Sequence, residues 1–259
     1  MDFGIKGRKA IVCASSKGLG YACARALARE GVIVTINGRD AGRLEEAAAK
    51  IKAEVGADVS IAAADINTQA GRDALVAAVP EPDILVNNNA GPSPGKLADW
   101  SYEDWLAAVE ANMLAPIFLI KAVSPGMVER RFGRIVNITS AMVKSPSATM
   151  GLSTAVRTGL TALSKSVHQD TVRFNVTINN LLPERFDTDR QKFMAERMVK
   201  NEGITYEQAR AKIAETIAAK RLGDPSEFGD ACAYLCSAQA SFISGQNLQL
   251  DGGSYRGLV

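Results

Sequence analysis

Short apolar runs alternate with longer amphipathic segments along the whole chain. The runs are rich in valine and isoleucine, as expected of strands that are buried on both faces. Turn-forming residues separate them from the amphipathic segments, so each run predicts one strand. The predicted strands are Lys9 to Ala14, Val32 to Asn37, Val59 to Ala64, Ile84 to Asn87, Arg134 to Ile138, Thr177 to Leu181 and Asn247 to Leu250.

Helical patterns fill the gaps between these runs. Gly20 to Glu30 predicts a helix with a face of small residues, and Ala41 to Val55 predicts a second helix with a charged face. Repetition of strand and helix predicts a parallel sheet that is covered by helices on both faces. No linker or low-complexity tract interrupts the repetition, so we expect one α/β domain over residues 1–259.

The segment from Phe186 to Lys220 departs from this alternation of strands and helices. It is charged and helix-prone, and Gly203 predicts a break between two helices. Because the segment directly follows a strand end, we expect a lid-like insertion at about 186–220, over the carboxyl ends of the strands. Ligands of open α/β sheets bind there. The alternative is a solvated helical hairpin without substrate contact.

Composition excludes several classes of function but does not identify one. Hydrophobic residues make up 47% of the 259 residues, enough for a large core, and 30 basic and 28 acidic residues are interspersed. This mixture predicts a solvated surface and no nucleic-acid site. No apolar run reaches membrane-span length and no signal peptide is visible, so we expect a cytoplasmic protein without a membrane partner. Four scattered cysteines and one histidine predict no metal site.

A glycine-rich turn follows the first predicted strand and opens the first helix. Gly18 and Gly20 allow backbone to approach a pyrophosphate, and the helix N-terminus favours anions through free N–H groups and its dipole. The strand–turn–helix setting makes this pattern informative. The turn residues expected to bind a dinucleotide are Ser15, Lys17, Gly18, Leu19 and Gly20.

Together with further motifs, this turn resembles that of the short-chain dehydrogenase/reductase family. The family's Thr-Gly-x-x-x-Gly-x-Gly motif has Cys13 and Ala14 in its first two places here, and its Asn-Asn-Ala-Gly motif is Asn88 to Gly91. The resemblance covers nearly the whole chain and implies a Rossmann-type, doubly wound parallel sheet in a single domain. The further residues that it implies at the cofactor are Asp65, Asn89, Ala90, Gly91, Pro183 and Thr188.

The end of the second strand bears on the choice of cofactor. A carboxylate there would hold the ribose diol of NAD. This chain instead has Arg39, and Lys17 directly precedes Gly18. Two cations suit a ribose phosphate, so we favour NADP(H), with NAD(H) possible. The alternative is that Arg39 caps a loop and Lys17 is merely solvated.

The resemblance also implies catalytic residues, and two of them are replaced. Ser140 matches the serine that orients the substrate oxygen, and Asn112 matches the asparagine that supports a water relay. The family's tyrosine and lysine, however, are Ser153 and Arg157 here. Serine is far less acidic than a phenol, and a guanidinium does not exchange protons near neutral pH.

Lys144, four residues after Ser140, is a candidate substitute acid, because a lysine desolvated in a cleft can titrate near neutral pH. The alternative is an ordinary solvent-facing lysine. His168 follows Arg157 on the same predicted helix, and we expect a structural or surface role for it.

These observations predict an NADP(H)-dependent oxidoreductase that interconverts a carbonyl and an alcohol, with altered proton-transfer residues. The substrate class would be a ketone, a 3-oxoacyl compound or similar. The alternative is a non-catalytic, nucleotide-binding relative that acts as a subunit or sensor. A serine hydrolase is disfavoured because the chain lacks a Gly-x-Ser-x-Gly motif. The resemblance further implies a homotetramer or homodimer, with interfaces on helices at about Tyr102 to Arg131 and Thr154 to Val172.

Overall fold

The computed structural model describes residues 2–258, and their strands form one sheet. All pairs of neighbouring strands are parallel, in the order β3-β2-β1-β4-β5-β6-β7. All the predicted strands are confirmed, with ends shifted by at most two residues. The strands are β1 Lys9–Val12, β2 Ile33–Gly38, β3 Ser60–Ala63, β4 Ile84–Asn87, β5 Gly133–Ile138, β6 Val176–Pro183 and β7 Asn247–Leu250.

Helices cover both faces of this sheet. Side chains of α1, α2 and α9 form the core on one face, and those of α3, α5 and α6 form the core on the other. The predicted doubly wound, Rossmann-type α/β fold is therefore confirmed. The helices are α1 Gly18–Arg29, α2 Ala41–Val55, α3 Gln69–Ala78, α4 Tyr102–Val109, α5 Ala115–Glu129, α6 Gly151–Thr171, α7 Asp189–Glu202, α8 Tyr206–Glu215 and α9 Pro225–Cys236.

The glycine-rich turn is tighter than the sequence predicts. β1 ends at Val12 because Ala14 adopts a left-handed backbone, with φ of 44°, and this reverses the chain. α1 then begins at Gly18 rather than Gly20. A Cβ atom at Gly20 would lie 2.5 Å from the carbonyl oxygen of Ala14, so only glycine fits there. The turn thereby brings the N-terminus of α1 against the end of β1.

The strand order reverses between β1 and β4. From β1 the chain continues through β2 and β3 on one side of the sheet, and β4 starts the other side. The loops after these two strands therefore diverge and leave a crevice at their carboxyl ends, where open α/β sheets bind ligands. The crevice lies between the glycine-rich turn and the Asn88 to Gly91 loop.

A ladder of asparagines crosses the interior of the second half of the sheet. Asn87, Asn137, Asn180 and Asn247 are register partners on β4 to β7. Each side-chain amide donates to the Oδ1 atom of the next, at 2.8, 3.0 and 2.8 Å. Because buried amides are costly without partners, this ladder holds the strands in one register.

The longest apolar helix spans Tyr102–Glu129 and joins α4 to α5 through a π-helical segment, Glu110–Leu114. The helix has 28 residues, and an 18-residue window of it has a mean hydropathy of 1.7, so it is long and apolar enough to cross a membrane by length and composition. The expectation that no segment reaches this length was therefore wrong. Core helices of water-soluble proteins pass the same test, and this helix packs Leu119, Val123 and Met127 into the core beneath the sheet.

The segment from 186 to 220 contains α7 and α8. α7 ends at Glu202, and the next residue, Gly203, forms the left-handed cap expected of the predicted break, with φ of +66°. The two helices pack together through Ala195, Ala209 and Ile213. Residues of both helices border the crevice at the carboxyl ends of the strands. Action of this segment as a lid stays a prediction, as does the assignment of residues 1–259 to a single domain.

Candidate active site

One large cleft, of about 630 Å³, occupies the crevice at the carboxyl ends of the strands. Its walls come from the glycine-rich turn, the loops after β4, β5 and β6, the first turns of α6, and helices α7 and α8. Most of the residues expected at the cofactor or the reacting atoms lie in it. These are Lys17, Gly18, Leu19, Asn89, Ala90, Gly91, Ser140, Ser153, Arg157, Pro183 and Thr188.

Four residues expected at the cofactor do not line this cleft. Ser15 is buried, and its hydroxyl donates to the carbonyl of Val12 at 2.6 Å. Gly20 packs under the turn. Asp65 accepts a hydrogen bond from the backbone of Asn67 at 3.1 Å, and Arg39 is exposed at the end of β2. Ser15 and Gly20 thus shape the turn from beneath.

Asn112 lies behind the cleft, in the π-helical segment. Its Nδ2 atom donates to the carbonyl of Ala90 at 3.2 Å. Its Oδ1 atom and that of Asn87 are buried and accept no hydrogen bond from the described residues. Both residues border a small cavity of about 10 Å³ that Arg157 also borders. A space of this size, with polar partners on several sides, suits one water molecule.

Arg157 is the most buried charge of the cleft, with 8% of its surface exposed. Its Nη1 atom donates to the carbonyls of Ile138 and Thr139, at 2.8 Å each, where β5 ends. A Cβ atom at Gly91 would lie 3.3 Å from its Nη2 atom, so the guanidinium also reaches the loop after β4. Burial, and then the nearby charge of Arg190, lower the pKa of Arg157 to about 10.

Ser140 and Ser153 both line the cleft, but Lys144 does not. Ser140 lies two residues after the end of β5 and accepts a hydrogen bond from the backbone of Met142 at 3.2 Å, at the start of a 3₁₀ turn. This turn carries Lys144 to the C-terminal segment, where its Nζ atom lies 5.5 Å from the ring centroid of Tyr255. No tyrosine lines the cleft within residues 2–258.

His168 lies near the C-terminal end of α6, away from the cleft. Its imidazole packs on Gly245, since a Cβ atom there would come within 2.4 Å of the ring. Burial, and then the charge of Lys165, lower the pKa of His168 below its usual range. These contacts are those of a packing residue.

Several residues of the cleft went unnoticed in the sequence. Arg185 and Arg190 line it from the segment after β6, and Met142, Met150, Met194 and Met198 give it an apolar wall. Arg190 follows Thr188 by two positions, and this spacing was the only available signal. Arg185 pairs with Glu184 at 3.0 Å, and Lys17 pairs with Asp189 at 3.0 Å. The carboxylates of the cleft are therefore already paired.

A second, shallower pocket of about 390 Å³ opens on the other side of the glycine-rich turn. Its charged lining consists of three cations, Lys17, Arg43 and Lys50, and one carboxylate, Glu46, so positive charge is in excess. The sequence pattern identified only Lys17, because Arg43 and Lys50 reach this side from the following helix, α2. A pocket with this charge favours a phosphate group.

The turn and the cleft together fit a dinucleotide. No side chain caps the N-terminus of α1, so its backbone N–H groups remain free for an anion. Nothing lies within 4 Å of a Cβ atom built on Gly18, so the turn is open on the side where a phosphate would approach. The cationic pocket continues this surface beyond the turn.

Comparisons with known proteins agree with this geometry. The family model described as enoyl-(acyl carrier protein) reductase matches residues 13–255. NADPH-dependent reductase BacG of Bacillus subtilis (strain 168) is 32% identical over 256 residues, which are 97% of this chain and 99% of that protein. Gluconate 5-dehydrogenase of Gluconobacter oxydans (strain 621H) is 34% identical over 257 residues, which are 97% of this chain and 96% of that protein.

A solved structure extends the likeness to three dimensions. The crystal structure of L-sorbose reductase from Gluconobacter frateurii, complexed with NADPH and L-sorbose, matches this fold with a TM-score of 0.94. The two proteins are 28% identical, and the match covers 100% of each chain. With matches of this extent in sequence and structure, the chain belongs to the short-chain dehydrogenase/reductase family.

Proposed function

We propose that this protein is an NADP(H)-dependent oxidoreductase that interconverts a carbonyl and an alcohol, with altered proton-transfer residues. The observation that carries the proposal is the single cleft that joins the glycine-rich turn to Ser140, Ser153 and Arg157. Relatives named as an NADPH-dependent reductase and as an L-sorbose reductase complexed with NADPH support the cofactor and the reaction class.

The residues that would hold the cofactor follow the cleft from one end to the other. Gly18, Leu19 and the free N–H groups of α1 would bind the pyrophosphate. Lys17 and Arg39 would bind the ribose phosphate, and Asp65 would contact adenine. Asn89 to Gly91, Arg157, Pro183 and Thr188 would surround the nicotinamide half. When bound, the cofactor supplies or accepts the hydride.

The chain's own residues would position the substrate and its proton. Ser140 would donate a hydrogen bond to the substrate oxygen, and Arg157 would hold positive charge nearby. Asn112 borders the same small cavity as Arg157, which suits a water relay. Ser153 is a weak acid, so we propose that a water molecule in the cleft, aligned by Ser140 and Ser153, donates the proton to the substrate oxygen. Lys144 remains a candidate donor only if the 3₁₀ turn after Ser140 rearranges.

The alternative is a non-catalytic relative that binds nucleotide and acts as a subunit or sensor. The absence of a tyrosine among the described residues that line the cleft favours it, because the family's proton donor is a phenol. Both hypotheses predict nucleotide binding, but only the oxidoreductase hypothesis predicts turnover.

We further propose a cytoplasmic homotetramer or homodimer that uses α4, α5 and α6. Tyr102, Leu106 and Phe118 on the long helix are exposed with 72, 51 and 39% of their surface, although they are large and apolar. An assembly would cover this face and stabilise each subunit. Light scattering at micromolar concentration should give the mass of a dimer or tetramer, and a monomer mass would contradict the proposal.

Changing Arg39→Asp tests the cofactor preference. The substitution removes a cation and adds repulsion beside the ribose phosphate. We therefore expect the Kd for NADPH to rise about tenfold or more, roughly 1.4 kcal/mol, with little change for NADH. Calorimetry with both nucleotides measures the difference. Arg173→Asp is the control, because this exposed arginine lies near the opposite edge of the sheet. Equal losses for both nucleotides would remove the argument.

The double change Ser153→Tyr with Arg157→Lys tests the altered chemistry. A phenol at 153 restores an acid of suitable pKa, so we expect faster NADPH-dependent reduction of simple ketones than in the native protein. Steady-state kinetics measures this. Ser153→Phe with Arg157→Lys is the control, since it adds the same bulk without the hydroxyl.

Two outcomes would decide against parts of the proposal. A Tyr variant that folds, binds NADPH and reduces nothing would favour the non-catalytic alternative. Native turnover that survives Lys144→Ala would exclude Lys144 as the acid.

A further inference from the structure

Two arginines in the cleft lack a carboxylate partner within the described part of the chain. Neither Arg157 nor Arg190 forms an ion pair there, whereas Lys17 and Arg185 do. Arg190 is half-buried, and its only hydrogen bond among residues 2–258 is a weak one, from Nη2 to the carbonyl of Pro92 at 3.4 Å. A half-buried cation without an anion is costly, so a ligand that brings an anion gains free energy here.

The two guanidiniums reach the same loop after β4 from different elements: a Cβ atom at Gly91 would lie 3.3 Å from Nη2 of Arg157, and Nη2 of Arg190 donates to the carbonyl of Pro92. Arg157 is fixed by two strand-end carbonyls, next to the loop where the nicotinamide half of the cofactor would lie. Arg190 projects from the first turn of α7, on the side of the cleft that holds the helical segment. Burial first, and then the charge of Arg190, lower the pKa of Arg157, the direction expected of two cations in one cleft. A ligand that brings an anionic group would offset this concentration of positive charge.

The cleft that Arg190 lines also has an apolar wall. Met142, Met150 and Met194 line the cleft together with Ile213 and Phe186. Methionines adapt to irregular hydrocarbon and aromatic groups. A ligand with an apolar body and one negative group would match both features of the cleft.

We propose that the substrate is an oxo acid or hydroxy acid with an apolar body, and that Arg190 binds its carboxylate. One guanidinium presents two parallel N–H donors, which match the two oxygens of a carboxylate. Arg190 is then a specificity-determining residue, because a neutral ketone would leave its charge unpaired. The reaction part of this inference rests on the proposed function, whereas the binding part needs only a nucleotide-loaded cleft.

The test compares 2-oxo-4-phenylbutanoate with its ethyl ester. Calorimetry on the NADP⁺-loaded protein measures the affinity of each compound without turnover. Steady-state kinetics with NADPH then measures reduction. We expect the acid to bind about tenfold or more tightly than the ester, since a carboxylate pairs with the cation and an ester does not.

Three variants locate the effect at Arg190. Arg190→Met keeps an unbranched side chain and removes the charge, so the preference for the acid should vanish while the affinities for ester and NADP⁺ stay within about twofold. Arg190→Lys keeps the charge but cannot donate two parallel hydrogen bonds, so it should retain part of the preference for the acid over the ester. Lys200→Met, an exposed change of the same type near the end of α7, should behave as the native protein.

Several results would overturn the proposal. They are equal binding of acid and ester by the native protein, binding of neither, or an Arg190→Met variant that loses NADP⁺ affinity instead of acid affinity. The last result would make Arg190 a cofactor ligand. Binding of the acid that depends on Arg190, without reduction by NADPH, would leave the carboxylate site standing and contradict the oxidoreductase proposal. Reduction of both compounds with no effect of Arg190→Met would support the oxidoreductase proposal and contradict the carboxylate site.

Discussion

The burial of the Arg157 guanidinium is the constraint on which the site depends. A charge this deep is tolerated because the carbonyls of Ile138 and Thr139 at the end of β5 accept its hydrogen bonds. Those carbonyls are free only because β5 ends there and the chain turns away through Ser140. The same cation is left without a carboxylate among the described residues, so it favours anionic ligands. The end of β5 therefore fixes Arg157, and Arg157 in turn favours anionic ligands.

The sheet supplies the rigidity that this arrangement needs. Asn137, one residue before Ile138, belongs to the asparagine ladder that ties β4 to β7. Because the two central amides, Asn137 and Asn180, both donate and accept, a register slip would break several buried hydrogen bonds at once. The ladder ends at Asn87, beside the small cavity that Asn112 and Arg157 share. The position of the end of β5 is thus held by polar contacts inside the core.

Much of the fold could be predicted because buried parallel strands are short apolar runs, and all seven were found. The start of α1 was misplaced by two residues, since the left-handed backbone of Ala14 leaves no mark in an apolar pattern. Site residues at strand ends could be predicted because the carboxyl ends of parallel strands meet at one edge. Arg190 could not be predicted as a cleft residue, because α7 reaches the cleft only by tertiary packing. Lys144 is near Ser140 in sequence, yet a 3₁₀ turn takes it to Tyr255.

We propose that this cleft transfers hydride between NADPH and a carbonyl, although no tyrosine lines it within residues 2–258. Incubation of the native chain with NADPH deuterated at C4 and a panel of ketones, followed by mass spectrometry of the alcohols, tests it most directly. The account predicts deuterium at the carbinol carbon, and its loss on Ser140→Ala. If NADPH binds and raises the unfolding temperature of the chain while no alcohol carries deuterium, the cleft is a nucleotide-binding site without this chemistry.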